Sequence, residues 1–185
     1  LTGKTDVINV TPIGTEPHDL ELSPDAVEDV QDAKFVLAMG SGFQPSVEKA
    51  ASNNSDSILV LDELYPEGEV DDPHFWLDPL LMKNVVDIVS LKLIEITPKE
   101  KSKIEKNRDE LNAKLDQLNI DFVSAFTTCE SKVFITSHEA FGYMAQRYDL
   151  TQESIAGYSP ENEPSPDSLS KLSDIAIKAK VKVIF

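Results

Sequence analysis

Short runs of β-branched and apolar residues alternate along the chain with longer stretches of helical periodicity. The runs fall at residues 7–10, 35–38, 58–61, 133–136, 154–156 and 181–185. Between them, Ser23-Pro24, Asp78-Pro79, Thr97-Pro98 and Ser165-Pro166 each set a capping side chain before a proline at the first helical position. Proline suits that place because its missing N–H would have had no helical partner. Thr97 and Glu100 add the spacing of a capping box. Strands alternating with helices predict βαβ units around parallel sheets, an α/β fold.

One segment breaks the alternation. From 98 to about 128, Ile104, Leu111, Leu115, Leu118, Phe122 and Phe126 recur at steps of three, four or seven between polar, charged flanks. The pattern predicts one amphipathic helix of roughly 30 residues, ~45 Å long. Its stripe wanders from a strict coiled-coil seam, which favours a spine over a coiled-coil arm. The expected organisation is an N-terminal α/β lobe (1–97), a linking helix (98–128) and the first part of a second α/β lobe (129–185). The chain opens on Leu1 rather than Met, and its last apolar run stops where a strand should continue. It therefore reads as an excerpt of a longer protein, with no signal segment of its own and an incomplete second lobe.

Composition narrows the function. Hydrophobic residues make up 41% and charged residues 27% of the 185, the balance of a globular chain. No apolar run approaches the ~18 residues of a membrane span. Acidic residues number 33 against 17 Lys and Arg, and residues 1–80 hold 17 of the acids against 3 lysines. Such a surface argues against nucleic acid and against anionic lipid, both of which need basic side chains. It leaves open a cationic ligand or plain solubility. Cys129 is the single cysteine, so an intrachain disulfide and a thiolate metal cluster are excluded. It reads as a small buried residue.

The three histidines carry the chemical argument. His18 lies after the first apolar run and before the helix at Ser23; His74 lies in Asp71-Asp72-Pro73-His74-Phe75-Trp76-Leu77-Asp78-Pro79; His138 follows the run 133–136. All three are expected in βα connections, where open α/β sheets bind their ligands. Imidazole is the commonest protein ligand for zinc. Any one histidine taken alone is better read as a local hydrogen-bonding side chain, and it is the repeated position after a strand that makes one converging set an equal alternative to three unrelated side chains. Phe75 and Trp76 are expected to wall His74, and Phe141, Tyr143 and Met144 to form a buried helical face.

The segments 14–19 with Ser23-Pro24, then Asp72 to Pro79, then Ser137-His138-Glu139-Ala140-Phe141-Gly142-Tyr143, then Ser159-Pro160-Glu161-Asn162-Glu163-Pro164-Ser165 resemble, in order, the zinc/manganese solute-binding proteins of bacterial ABC importers. This is the ZnuA/AdcA/TroA-like family of cluster A-I, which includes adhesin-type lipoproteins. The resemblance implies two Rossmann-like lobes joined by a long rigid helix, with metal held between them. Carried over by motif, the ligands are His18, His74 and His138. A histidine rather than a glutamate at the third place implies Zn2+ in preference to Mn2+. Glu139 is expected at a helix N-terminus rather than on the metal. A fourth ligand is expected beyond Phe185. The chain departs from the family's zinc-type pattern in its short acidic stretch 63–72, which carries Glu67, Glu69, Asp71 and Asp72 and no histidine.

The resemblance further implies an extracytoplasmic protein, periplasmic or held at the cell surface by a lipid anchor upstream. It would act as a monomer and deliver its ion to the membrane permease of an ABC importer. It implies no catalysis. Two other readings remain from the residues: a three-histidine zinc hydrolase or lyase with an open water position, and a manganese-binding or adhesin-like member of the same family.

Overall fold

The computed structural model describes residues 6–66, 70–161, 163–181 and 183–185, with Asp19 as backbone only. Glu67 and Glu69 of the acidic stretch lie outside the described residues. The chain folds as two compact units, the first made of Leu1–Val70 and Asn84–Leu111, the second of Asp71–Lys83 and Asn112–Phe185.

The first unit is built around a parallel strand pair. Helix α1 (Pro24–Asp32) starts where expected, with Ser23 Oγ accepting from the Ala26 N–H at 3.2 Å. Strand β1 (Leu37–Ala38) pairs in parallel with β2 (Ile58–Leu59), Leu37 opposite Ile58 and Ala38 opposite Leu59. A parallel pair needs a crossover, and helix α2 (Pro45–Ala51) supplies it. Helix α3 (Val60–Leu64) follows β2 directly. Val30, Val36, Ala50 and Ala51 form one buried cluster between α1 and α2; Leu20, Ala38 and Val47 form another. Asn54 Nδ2 donates to Ala33 O at 2.6 Å and ties the end of α2 to the end of α1.

The second unit repeats the arrangement. Strand β3 (Val133–Thr136) runs parallel to β4 (Thr151–Ser154), from Val133 opposite Thr151 to Thr136 opposite Ser154. Helix α6 (Gly142–Arg147) crosses between them, and a parallel bridge joins Ile135 to Ile184. Helix α7 (Pro166–Ala179) opens on Ser165, whose hydroxyl accepts from the Ser168 N–H, and ends at Lys180 in a left-handed conformation. Ile135 is fully buried. Burying so complete an aliphatic side chain stabilises the unit by roughly 1.5–3 kcal/mol.

Helix α4 (Pro79–Ile96) begins in the second unit and continues in the first, while α5 (Lys101–Thr127) runs from the first into the second. The 27 residues of α5 match the long helix read from the sequence. Its apolar stripe is only partly covered, however: Ile104 is buried, whereas Leu111 and Leu118 are exposed. Phe122 and Phe126 pack with Tyr148 at ring separations of 5.4–5.5 Å.

Several local expectations change. Residues 7–10 form no strand, and Val7 and Ile8 stand in solvent. The run 154–156 is displaced, the strand being Thr151–Ser154, and 181–185 contributes a bridge at Ile184. Thr97 does not cap; its hydroxyl donates to Leu93 O at 2.5 Å, and Pro98–Glu100 form one turn of 3-10 helix instead. Cys129 is exposed rather than buried. Residues 71–83, fastened to α6, group with the second unit.

Candidate metal centre

That fastening builds the site. Asp72, Pro73 and His74 form a tight turn in which Asp72 Oδ1 accepts from the His74 backbone N–H at 2.9 Å. This is the habitual use of an aspartate at a turn, whose short side chain replaces a backbone acceptor. The same oxygen lies 2.8 Å from His74 Nδ1. A carboxylate there holds the proton on Nδ1 and leaves Nε2 as the ring's donor of an electron pair. His74 is 2% exposed, with Trp76 edge-on to its ring at 5.2 Å. Phe75 is buried as expected, but Trp76 is half in solvent and forms a rim rather than a floor.

His138 sits two residues beyond β3, in a loop held by its own backbone. Its carbonyl accepts from Thr136 Oγ1 at 2.7 Å, from Gln152 Nε2 at 3.2 Å and from the Ala140 N–H at 3.0 Å. Gln152 Oε1 in turn accepts from the Phe141 N–H at 3.0 Å. These bonds delay the helix to Gly142, so Glu139 has no place at a helix N-terminus; its N–H donates to Gly157 O instead. Phe141, Tyr143 and Met144 are half-buried, and Ala145 and Tyr148 are the residues that α6 and its cap bury.

The two imidazoles meet within this unit. Their ring centroids are 5.2 Å apart, and their candidate ligand nitrogens lie within 4.8 Å of each other. Two nitrogens on one tetrahedral zinc stand about 3.3 Å apart, a separation that small ring rotations reach. The surroundings are anionic. Burial and the carboxylates of Glu139, Asp72 and Asp71 hold the Tyr158 phenol above its usual range.

His18 belongs to the first unit. It lies in a 3-10 turn, Pro17–Asp19, with Glu16 accepting from its backbone N–H at 3.3 Å. The ring packs edge-on against Phe43 at 4.6 Å. Gln44 Nε2 donates to Pro17 O and Ser46 Oγ to Leu20 O, so the head of α2 fixes this turn. Phe43 was not singled out from the sequence. The signal was Gly40-Ser41-Gly42 followed by Pro45, three successive residues of positive φ that turn the chain back on itself.

Two α/β units, each built on a parallel strand pair, place the chain in the fold class of the solute-binding proteins. Of the two neighbouring imidazoles only His138 follows a strand of its own unit, and neither His18 nor His74 lies directly after one. The chain belongs to the family described as zinc-uptake complex component A, periplasmic (ZnuA), whose model matches residues 1–185. It is 36% identical over 203 residues to the high-affinity zinc uptake system protein ZnuA of Bacillus subtilis, an alignment covering 98% of this chain and 64% of that protein. It is 30% identical over 193 residues to the zinc-binding lipoprotein AdcA of Streptococcus pneumoniae, covering 93% of this chain and 38% of AdcA. The crystal structure of the S. pneumoniae AdcAII protein superposes with a TM-score of 0.86 at 28% identity, covering 100% of this chain and 72% of that one. The chain thus spans less than two thirds of the length of these curated relatives.

Proposed function

We propose that this chain captures Zn2+ outside the cytoplasm through the imidazoles of His18, His74 and His138 and passes it to the membrane permease of an ABC importer. The observation that supports the reading is the His74–His138 pair, whose ring nitrogens lie within 4.8 Å of each other inside one unit, with Asp72 on the Nδ1 of His74. Imidazole nitrogen suits zinc better than the harder manganese, and here the donors are imidazoles. Zinc uptake is also what the matched family and the B. subtilis relative are named for. The ion is cargo rather than a catalyst, so the site has to hold it without presenting it to a substrate. The lipoprotein name of AdcA supports a place at the cell surface or in the periplasm.

Competition with a chromophoric chelator tests the proposal. The chain should take up one equivalent of Zn2+ in preference to Mn2+, and His138→Ala should weaken that uptake. Failure of the chain to compete for zinc, or equal affinity in His138→Ala, would overturn it.

A further inference from the structure

Asp72 does more than close a turn. Its Oδ1 holds both nitrogens of His74 described above, and its backbone carbonyl accepts from the Tyr143 hydroxyl at 2.8 Å. Its Oδ2 lies 2.7 Å from where a Cβ on Gly142 would stand. Real Cβ atoms do not approach an oxygen so closely, so any side chain at 142 would displace the carboxylate. Gly142 and Tyr143 are the first two residues of α6, immediately after the His138 loop. One residue therefore touches His74 through its side chain and the end of the His138 loop through both its carbonyl and its carboxylate.

We infer that Asp72 is the positioning residue of the metal centre, and that Gly142 is glycine to make room for its carboxylate. Asp72 sets the His74 tautomer, with the proton on Nδ1 and Nε2 turned to the ion, and it locks that ring to the His138 loop before any metal arrives. The inference rests on the zinc-binding reading, but its central claim concerns the metal-free protein. A carboxylate in this role also raises the basicity of the ligating nitrogen, and loss of such a group typically weakens metal affinity about 10–100-fold.

The experiment reads the tautomer directly, by long-range 15N–1H correlation on the labelled, metal-free chain at a pH where its imidazoles are neutral, with His74→Gln used to assign the signal. Wild type should show His74 as the Nδ1–H tautomer. Asp72→Ala should move it toward the Nε2–H form that free neutral imidazole prefers. Gly142→Ala should do the same without touching either histidine or the aspartate. Asp72→Asn keeps an accepting oxygen and should restore the Nδ1–H form. In parallel, Zn2+ titration should show the 10–100-fold weakening in Asp72→Ala and a smaller loss in Asp72→Asn. An Nε2–H His74 in wild type, or an Asp72→Ala variant with unchanged tautomer, would overturn the inference whether or not zinc binds. Absence of zinc binding by wild type would instead count against the proposed function and leave the tautomer result standing.

Discussion

Arg147 donates its Nε–H to Oδ2 of Asp78, a carboxylate with a side chain only 3% exposed. The other oxygen of Asp78 accepts from the backbone N–H groups of Leu80 and Leu81 at 2.8 and 3.2 Å and so caps α4. One buried acid thus starts one helix and is neutralised by the last residue of another. Removing the partner leaves a desolvated charge behind, which is costlier than the bond itself is worth. Arg147→Met should destabilise the protein by about 2 kcal/mol. Asp78→Ala should cost about 1 kcal/mol more, because the cap goes with the charge pair. Denaturant unfolding monitored by far-UV circular dichroism measures both, and a neutral Arg147→Met would refute the argument.

The histidines should not be equivalent. His74 is the most buried, is braced by Asp72 and lies against His138. If the proposed site is right, His74→Ala removes a ligand and disperses the arrangement around it, so zinc affinity should fall by more than the ~100-fold expected of an outer-sphere change. His18→Ala alters the first unit only and leaves the His74–His138 pair intact. Its affinity should fall less, and chelator competition on the two variants ranks them. Acid should weaken zinc binding in wild type, since protons and metal compete for the same electron pairs.

Two glycines separate backbone strain from collision. Gly40 has φ +84°, and a Cβ there would stand 2.8 Å from Leu59 Cβ and 3.1 Å from Asp62 Oδ1. Gly14 has φ +82° with nothing within 4 Å of the same position. Gly14→Ala should cost about 1–2 kcal/mol, the left-handed penalty alone. Gly40→Ala should cost clearly more, and it should loosen the neighbouring loop that carries Phe43 to His18. Thermal unfolding gives the first comparison.

Alkali should act through Tyr148. Burial holds its phenol above the usual range, with the Asp78 carboxylate adding to the effect, and its hydroxyl donates to Asn119 Oδ1 at 3.0 Å. A tyrosine with a raised folded-state pKa keeps its proton when the unfolded chain has lost its own. Stability is therefore full below pH ~10 and falls as pH rises from there to the folded value. Tyr148→Phe should cost about 1 kcal/mol at neutral pH through the lost hydrogen bond. It should also flatten the alkaline decline, which unfolding curves between pH 8 and 11 would show.

The elements that announced themselves in the sequence were those whose cause is local. Ser23, Asp78 and Ser165 cap because a short oxygen-bearing side chain before Pro has few other conformations to choose. Thr97 misled because a threonine hydroxyl also reaches the carbonyl four residues back, here that of Leu93. Strands were less legible. Residues 7–10 have the composition of one, but a strand exists only where a neighbour pairs with it, and pairing is not written in a single run. The motifs singled out the histidines, whereas they did not single out the groups around them. Asp72 offered a signal in the order Asp-Pro-His, an aspartate two residues before the backbone N–H it accepts. Gly142 gave none, because its reason is a carboxylate 70 positions away.

The second unit takes in residues 71–83 while the chain on either side belongs to the first. The polypeptide therefore passes from one unit to the other at three points, and no single cut yields either unit whole. Vectorial synthesis feels this most. His74 leaves the ribosome 64 residues ahead of His138, and Asp72 must wait for Gly142 and Tyr143 before its lock can close. The imidazole pair therefore cannot form, nor its lock close, before residues 138–143 have been made.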